Sequence, residues 1–388
     1  MRPSSRLPRE AAPNALSRAL DELRRAGTAY VDLTESNPTR AGISYPDDLL
    51  LPLSSPASLR YEPQPLGMRA AREAIAADCG RRGVCIEPDQ IVLSASTSET
   101  YAWLFKLLCD AGESVLVPRP SYPLFEHLTR LEGVRAASYR LEYHGRWDID
   151  LDSVAAAPAD TRAVLLVSPN NPTGSYASAG EIEALVRVCR DRGWALIVDE
   201  VFADYALEAD APITDIAARA DVLTFSMGGA SKSLGLPQVK LGWTVVGGPA
   251  GDRASALEGL ELIADTFLSV STPVQVAAAA LLERGAAVRA AIHARLRANL
   301  ATARRVAAAH PSCNLLPVEG GWSAVVRVPA TRGEDTLVLE LLARERVLAH
   351  PGYFFDFEHE AFLVVSLLVP EAEFADAFAR TLRFAEAA

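Results

Sequence analysis

The stretch TFSMGGASKSLGLPQVKLGWTVVGG, residues 224–248, places two lysines between two short apolar runs. Such runs, bounded by glycine and rich in β-branched and aromatic residues, are typical of buried strands. In an open parallel sheet, ligands bind just beyond the carboxyl ends of the strands, which is where Lys232 follows the first run. Two interpretations of Lys232 and Lys240 therefore compete. They are ordinary surface lysines, or one amine does covalent chemistry while the other holds an anion.

The same pattern continues toward the N-terminus, where apolar runs such as RAVLLVSP and WALIVDE alternate with helical patterns such as AGEIEALVRVCRDRG. Apolar runs that alternate with helices predict buried strands in a mainly parallel sheet with helices on both faces, an α/β fold. We place this core at residues 46–275. Residues 276–388 begin with long helical patterns and continue with further strands, which predicts a smaller α+β domain.

The composition indicates a well-cored chain and argues against several classes of function. The chain has 388 residues, 49% hydrophobic and 22% charged, with a formal net charge of −11. A negative balance argues against nucleic-acid binding, and no apolar run reaches the roughly 18 residues of a membrane span. The five cysteines and six histidines lack the spacing of a zinc site. This spacing predicts no metal site. The N-terminus has no apolar signal segment, so we expect a cytoplasmic location and reduced thiols.

Polar residues follow the predicted strands in a definite order: hydroxyls at residues 96–98, the turn NNPTG from Asn170, the carboxylate of Asp199, and Lys232. Taken singly, each is explained as a helix cap, a turn, a solvated carboxylate or a surface lysine. Together they fit a phosphorylated pyridine aldehyde. Hydroxyls at a helix N-terminus would cradle the phosphate, the carboxylate would keep the ring nitrogen protonated, and the lysine would form a Schiff base.

The chain resembles the class I/II aminotransferases of pyridoxal-phosphate (PLP) fold type I over nearly its whole length. The order and spacing of five motifs together make this match far more specific than any one motif. The resemblance implies PLP as cofactor, a homodimer with shared active sites, and a small domain in which residues 1–45 join residues 276–388. The motifs are RYEPQPLGMRAAREAIA from Arg60, PRPSYPLFEHL from Pro118, NNPTG from Asn170, IVDEVF from Ile197 and SKSLGLPQVKLGW from Ser231.

The resemblance also implies a role for each matching residue. Lys232 would be the Schiff-base lysine and the catalytic acid/base, and Asp199 would pair with the pyridine nitrogen. Asn171 would donate to the phenolate oxygen of the ring, and Tyr122 would stack on the ring face. The groups expected at the phosphate are Ser96, Thr97, Ser98, Lys240 and, from the neighbouring subunit, Tyr61.

Four positions depart from the family pattern. Lys240 stands where the family usually has an arginine for the phosphate, and a lysine lacks the bidentate fork. Gly229 stands where a phosphate-binding serine is common. Phe202 replaces a tyrosine that donates to the phenolate oxygen, which leaves Tyr205 as a possible substitute donor. In FLVVSLLVP, Val364 stands where the family has an arginine that binds the α-carboxylate of the substrate.

No arginine lies within residues 361–371, so we expect that the carboxylate-binding arginine is truly missing. The segment LTESNPTRAG from Leu33 resembles the strap that covers the substrate in the family. This resemblance makes Asn37 and Arg40 candidate substrate-binding residues. Arg327 is a second candidate cation, and neither arginine has motif support.

Three functions compete on these residues. The favoured one is a PLP-dependent aminotransferase that moves an amino group between an amino acid, or a related amine, and a 2-oxo acid. A PLP-dependent lyase, or another enzyme that forms an α-carbanion, would use the same cofactor apparatus. A non-catalytic regulator is disfavoured, because Lys232 and Asp199 are both present. The partners expected are therefore small molecules and a second copy of the chain, and the fold alone does not dictate the substrate.

Overall fold

The computed structural model describes residues 4–8, 13–208 and 216–387. Helices and strands alternate through its central part. The helices are α1 (Ala15–Arg25), α2 (Arg69–Arg81), α3 (Thr97–Leu108), α4 (Phe125–Leu131), α5 (Leu151–Ala155), α6 (Ala179–Arg192), α7 (Ala230–Ser233), α8 (Ala250–Asp265), α9 (Thr272–Arg284), α10 (Ala286–Ala307), α11 (Glu334–Glu340) and α12 (Glu371–Glu386). The strands are β1 (Val31–Asp32), β2 (Ile91–Ser94), β3 (Ser114–Arg119), β4 (Arg135–Tyr143), β5 (Trp147–Ile149), β6 (Thr161–Val167), β7 (Ala195–Asp199), β8 (Thr224–Gly229), β9 (Gly242–Gly247), β10 (Asn314–Leu315), β11 (Ser323–Arg327), β12 (Val347–Leu348), β13 (His350–Pro351) and β14 (Phe362–Ser366).

The largest sheet has eight strands in the order β2-β9-β8-β7-β6-β3-β4-β5. Its central strands, from β8 through β7, β6 and β3 to β4, are parallel to one another. This arrangement confirms the prediction of a mainly parallel sheet. Because these strands run in the same direction, the carboxyl ends of β3, β6, β7 and β8 all lie at the same edge of the sheet.

Successive residues of β6 pack on opposite faces of this sheet. Ala163 and Leu165 join an apolar cluster that contains side chains of α3, α4 and α8, whereas Val164 and Leu166 join one that contains side chains of α6. Because side chains alternate along a strand, a run that is apolar throughout needs cover on both faces. The sandwich of helices around the sheet follows from this requirement, as the sequence predicted.

Two strands of this sheet run against the others: β5, which is antiparallel to β4 at one edge, and β9, which is second from the other edge. β9 is antiparallel to both of its neighbours, β8 and β2, so β2 runs in the same direction as β8. The sequence pattern identified β9 as a strand but carried no information about its direction. Because of this insertion, the end of β2 lies at the same edge as the ends of β7 and β8.

The ends of the helices follow ordinary capping chemistry. The Ser178 hydroxyl accepts from the Glu181 N–H while the Glu181 carboxylate accepts from the Ser178 N–H, a capping box that starts α6. Gly193 ends that helix in the left-handed conformation, with φ of 67°. At α3 the Ser96 hydroxyl accepts from the Glu99 N–H at 3.2 Å, so the hydroxyl run of residues 96–98 does begin with a helix cap.

A second, four-stranded sheet has the order β10-β11-β14-β13, and its pairs are antiparallel. The N-terminal strand β1 pairs instead with β12. Ser366, at the end of β14, donates from its backbone to the Leu33 carbonyl at 2.6 Å and from its hydroxyl to the Glu35 carbonyl at 2.7 Å. These bonds hold residues 33–35 against the small sheet, and Ser36 beside them lies near the carboxyl edge of the large one.

Among the residues described, no helix combines the length and the apolar character needed to cross a bilayer. The same residues contain no group of three or more histidine, cysteine or acidic side chains that could hold a metal ion. The cysteines are free thiols.

Candidate active site

A cavity of about 320 Å³ lies where the carboxyl ends of the large-sheet strands meet. A larger surface cavity, of about 600 Å³, lies instead at the amino end of β7 beside Trp194, away from these groups. The smaller cavity is the candidate site, because it collects polar and titratable side chains from several separate segments. Lining residues that the sequence analysis had singled out are Ser96, Thr97, Ser98, Tyr122, Asn171, Asp199, Phe202, Gly229 and Lys232.

Lys232 lies in the short helix α7, directly after β8. Its Nζ is 4.8 Å from the centroid of the Trp322 ring and 5.4 Å from that of Phe202. The residue is partly exposed to the cavity, but protein atoms surround the amine. Burial lowers the pKa of Lys232 to about 8, although the nearby Asp199 charge acts in the opposite direction. The amine is therefore partly neutral at mildly alkaline pH, which nucleophilic attack requires.

Two side-chain hydrogen bonds hold the backbone at Lys232. The Tyr205 hydroxyl donates to the Lys232 carbonyl at 2.6 Å, and the Arg289 guanidinium donates to the Ser233 carbonyl at 3.0 Å. Both donors are buried. Hydrogen bonds to successive carbonyls restrict the loop, so the lysine side chain starts from a fixed point.

This contact also decides the place of Tyr205. The sequence analysis left Tyr205 open as a substitute for the phenol that is missing at Phe202. Its single hydroxyl proton is used on the Lys232 carbonyl, and its ring lies edge-on to Trp322 at 5.3 Å. Phe202 lines the cavity and Tyr205 does not. The suggestion that Tyr205 supplies the missing donor is therefore wrong.

Asp199 is the last residue of β7 and is 8% exposed. Its Oδ2 accepts from the Tyr101 hydroxyl at 2.7 Å, and its Oδ1 accepts from the Val201 N–H at 3.1 Å. Burial raises the pKa of Asp199, whereas these two hydrogen bonds stabilise the ionised form and act against that rise. A buried carboxylate with lone pairs left over, beside a cavity, is suited to a cationic or N–H partner.

The N-terminus of α3 forms another wall of the cavity. Ser96, Thr97 and Ser98 all line it, and the first N–H groups of a helix have no partner within the helix. Gly242 of β9 fits closely against this turn, because a Cβ there would lie 3.0 Å from the Ser96 carbonyl carbon. Hydroxyls and free N–H groups at a helix N-terminus suit a phosphate.

Asn171 and Tyr122 line the cavity from two neighbouring loops. The residue before each of them ties the two loops together: the Ser121 hydroxyl donates to the Asn170 side-chain oxygen at 2.7 Å. The Asn170 amide also donates to the Pro120 carbonyl at 3.0 Å. Asn170 is thus a structural residue that positions its neighbours, a role that the motif NNPTG alone did not reveal.

The donor set fits a phosphorylated pyridine aldehyde. A partly neutral buried amine, a buried carboxylate, an amide and a helix N-terminus surround one cavity. The model for the family described as "Aminotransferase class I and II" matches residues 53–380. The chain belongs to this family. Its members use pyridoxal phosphate, so PLP is the cofactor that family membership assigns to the chain.

Individual aminotransferases and one lyase are similar to the chain. The glutamate-pyruvate aminotransferase of Escherichia coli K12 is 30% identical over 258 residues, 65% of this chain and 63% of that protein. An S-alkyl-thiohydroximate lyase of Arabidopsis thaliana is 27% identical over 224 residues, 56% of this chain and 48% of that protein. The alanine aminotransferase structure from Pyrococcus furiosus covers all of both chains at 23% identity, with a TM-score of 0.90. The chain spans about 63% of the length of the first curated relatives that it matches.

Several residues expected at the aminotransferase site do not line this cavity. Lys240 is exposed in the left-handed conformation, with φ of 59°, although Leu241 and Gly242 beside it are lining residues. Tyr61 is 69% exposed and lies on a separate surface cavity. For Lys240 the phosphate role stays a prediction, as does that of Tyr61, which concerns a neighbouring subunit.

The candidate substrate residues of the strap also lie outside the lining. The side chain of Arg40 is 73% exposed and pairs with Glu35 at 3.2 Å. The side-chain oxygen of Asn37 accepts from the Thr39 N–H and hydroxyl, so it closes a local turn. Arg327, on β11, is exposed. This geometry lends no support to a substrate role for these residues, and each such role stays a prediction.

Val364 occupies the centre of β14 and is 2% exposed. It is paired with Val325 across the sheet and packs in an apolar cluster that includes Trp147 and Phe355. An apolar cluster therefore occupies the strand position where the family has its carboxylate-binding arginine. Among the described residues that line the cavity, Lys232 is the only one with a cationic side chain.

Sequence reasoning missed two aromatic residues of the site. Trp322 precedes β11 and Tyr101 lies one turn into α3, and both line the cavity. In the sequence, Trp322 follows a Gly-Gly pair before an apolar run, and Tyr101 lies within a helical pattern. Neither position carries a signal of its own, because aromatic residues in such patterns usually belong to the core.

Proposed function

We propose that this protein is a PLP-dependent aminotransferase that moves an amino group between an amino acid, or a related amine, and a 2-oxo acid. The observation that carries the proposal is that a buried amine, Lys232, and a buried carboxylate, Asp199, line the same cavity beside a helix N-terminus. Family membership supports the same activity. Glutamate, alanine and their oxo acids are the first substrates to test, because the relative from Escherichia coli is a glutamate-pyruvate aminotransferase.

Lys232 has two roles in this proposal. Its neutral Nζ would hold the aldehyde group of the cofactor, and the same amine, once the substrate amine has displaced it, would take and return the proton of the substrate carbon. When bound, the cofactor supplies an electron sink for that carbon and carries the amino group. The pKa of about 8 serves both roles, since the amine can be neutral or protonated near physiological pH.

Asp199, Asn171 and Tyr122 hold the ring in this proposal. The Asp199 carboxylate would accept from the pyridinium N–H and keep it protonated, which would strengthen the electron sink. The Asn171 amide would donate to the phenolate oxygen, and the Tyr122 ring would stack on the pyridine face. The support is their shared presence around one cavity. With Phe202 at the position of the usual tyrosine, the phenolate has one donor fewer than is usual in the family.

The phosphate end is proposed to combine both subunits of a homodimer. Ser96, Thr97 and Ser98, with the N-terminus of α3, and Lys240 of the same subunit would bind the phosphate, and Tyr61 of the partner subunit would add to it. Exposed apolar side chains support a subunit interface near Tyr61: Leu59 is 91% exposed, and Leu268 lines the same surface cavity as Tyr61. Sedimentation should give a dimer.

We further infer that residues 46–275 form the large PLP-binding domain and that residues 1–45 join residues 276–388 in the small domain. The hydrogen bonds from Ser366 to the strap at residues 33–35 support this grouping. A cytoplasmic location stays a prediction, which the free thiols support.

A second candidate function is a PLP-dependent lyase. The similarity to the lyase of Arabidopsis thaliana favours it, and a lyase would use Lys232 and Asp199 in the same way. The two functions differ in the fate of the amino group. An aminotransferase leaves it on the cofactor, whereas a lyase that eliminates a leaving group returns the cofactor unchanged.

A half-reaction screen separates the two. The purified full chain, loaded with PLP, is mixed with single amino acids and carboxylate-free amines while the cofactor absorbance is followed. We expect stoichiometric formation of an oxo acid and of the aminated cofactor with at least one amino acid. Catalytic formation of an oxo acid and ammonia, with the cofactor spectrum restored after each turnover, would establish the lyase instead.

A further inference from the structure

Tyr101 lies in α3, in the turn after the phosphate-binding residues, and is 1% exposed. Its ring is stacked near Phe105 at 6.0 Å and meets Phe125 edge-on at 5.5 Å. These contacts give the ring a defined place in the apolar cluster between α3 and the sheet. Its hydroxyl points out of that cluster to Asp199 Oδ2, at 2.7 Å.

In this hydrogen bond Tyr101 is the donor and Asp199 is the acceptor. Burial, and next the neighbouring Asp199 charge, raise the pKa of Tyr101 well above its ordinary value, so the phenol stays protonated and donates. A buried hydroxyl without a partner costs free energy, and the carboxylate is its partner here. Oδ1 of the same carboxylate accepts from the Val201 N–H. Two donors from different elements therefore fix the plane of the Asp199 carboxylate.

We propose that Tyr101 is a positioning residue that holds the Asp199 carboxylate, ionised and in a fixed orientation, for the ring nitrogen of PLP. This inference rests on the proposed pairing of Asp199 with that nitrogen. Tyr101 acts through Asp199, because its hydroxyl keeps the carboxylate ionised and oriented so that it can accept from the pyridinium.

The physical reason is the burial of Asp199. In an apolar surrounding an ionised carboxylate needs donors, or it takes up a proton and ceases to accept from a pyridinium. Without the Tyr101 hydroxyl, Oδ2 loses its donor, and the carboxylate both binds a proton more readily and gains rotational freedom. The ring nitrogen then loses part of its partner even though Asp199 is still present.

The test measures how strongly the protein distinguishes a cofactor with a ring nitrogen from one without it. The full chain, freed of cofactor, is titrated with PLP and with the carbocyclic analogue in which C–H replaces the ring nitrogen. The variants are Tyr101→Phe and, as matched control, Tyr139→Phe. Tyr139 is also fully buried, but it lies in the apolar cluster on the other face of the large sheet, and its hydroxyl donates to the Leu165 carbonyl at 3.0 Å.

The wild type should bind PLP at least about tenfold more tightly than the analogue, as a charge-assisted hydrogen bond implies. Tyr101→Phe should reduce this ratio at least about fivefold, by weakening the binding of PLP much more than that of the analogue. Tyr139→Phe should leave the ratio unchanged, even if it lowers stability. A purely structural role of Tyr101 would weaken both ligands equally.

The failures are distinguishable. If the wild type does not prefer PLP over the analogue, the pairing of Asp199 with the ring nitrogen is wrong, and the role of Tyr101 is refuted with it. If the wild type has the preference and Tyr101→Phe keeps it in full, the pairing stands and the positioning role of Tyr101 is overturned. Urea unfolding of both variants shows whether each remains folded under the conditions of the titration.

Discussion

The carboxyl edge of the large sheet buries charged side chains, whereas strand β14 of the small sheet buries apolar ones. The first buries Asp199 and Lys232 and provides partners for the carboxylate. The second buries Val364 among apolar neighbours, at the position where related enzymes place an arginine. The comparison indicates that this chain keeps the groups expected to bind the cofactor but lacks the arginine expected to bind an α-carboxylate.

The difference has consequences for what can change. A buried charge with hydrogen-bonded partners tolerates little alteration, because each partner that is lost leaves the charge unsatisfied. An apolar cluster accepts another apolar side chain of similar volume but not a charge. The strap carries a candidate cation, Arg40, on the surface, where its ion pair with Glu35 contributes little.

The largest effect is expected from removing Lys232. Lys232→Ala should lower kcat at least about 10⁴-fold, since it removes both covalent attachment and proton transfer. The variant should still bind PLP without a covalent link. Borohydride reduction of the wild type, followed by peptide mapping, should place the pyridoxyl group on Lys232. Lys240→Ala, which removes the other lysine of the loop, is the control and should keep the label on Lys232. A label on Lys240 in the wild type would refute the assignment.

Introducing the missing arginine tests the other side of the comparison. Val364→Arg should lower the free energy of unfolding by about 3 to 5 kcal/mol, because it buries a charge without a partner. Val364→Met, which adds bulk but no charge, should cost less, about 1 to 3 kcal/mol. Urea unfolding measures both. A stable Val364→Arg variant with a lower KM for amino acids would show instead that the site extends to β14.

The burial of Lys232 should appear in the pH dependence of stability. Its pKa is about 8 in the folded protein and 10.5 ordinarily, a difference that corresponds to about 3 kcal/mol. Between these pH values the unfolded chain binds more protons, so the contribution of Lys232 to stability rises with pH. Cofactor-free wild type should therefore gain stability relative to Lys232→Met between pH 8 and 10.5.

Lys240→Met serves as the control for this pH experiment, since it removes an exposed lysine from the same loop. The gain relative to Lys240→Met should be clearly smaller than that relative to Lys232→Met. A flat difference between wild type and Lys232→Met across this pH range would mean that the Lys232 amine is better solvated than the structure indicates.

The smallest effect is expected at Arg40. Arg40→Ala should change kcat/KM for amino acids by less than about threefold, because an exposed ion pair contributes at most about 1 kcal/mol. A carboxylate-free amine serves as the comparison substrate. A loss of about a hundredfold or more with the amino acid alone, roughly 2.7 kcal/mol, would show that the strap brings Arg40 onto the carboxylate and would remove the contrast between the two regions.

Much of the lining of the candidate site could be predicted, because its residues lie at or just after the ends of strands. Asp199 ends a strand, Asn171 and Lys232 lie within four residues after strands, and the parallel topology brings such positions to one edge. The contributions of Tyr101 and Trp322 could not be predicted, because both lie in ordinary helical or strand patterns and reach the site only through packing. The same holds for Tyr205, whose hydroxyl is used on the Lys232 backbone.

The sequence by itself determined the class of fold, the order of the strands along the chain and the motif residues, because apolar periodicity and turn chemistry are local properties. The tertiary structure decided the direction of β9, the donors to Asp199, the environment of the Lys232 amine and the apolar surroundings of Val364. Each of these depends on side chains that are far apart in the chain. A local pattern cannot specify which distant groups meet, and the pKa of a buried group is set by those neighbours.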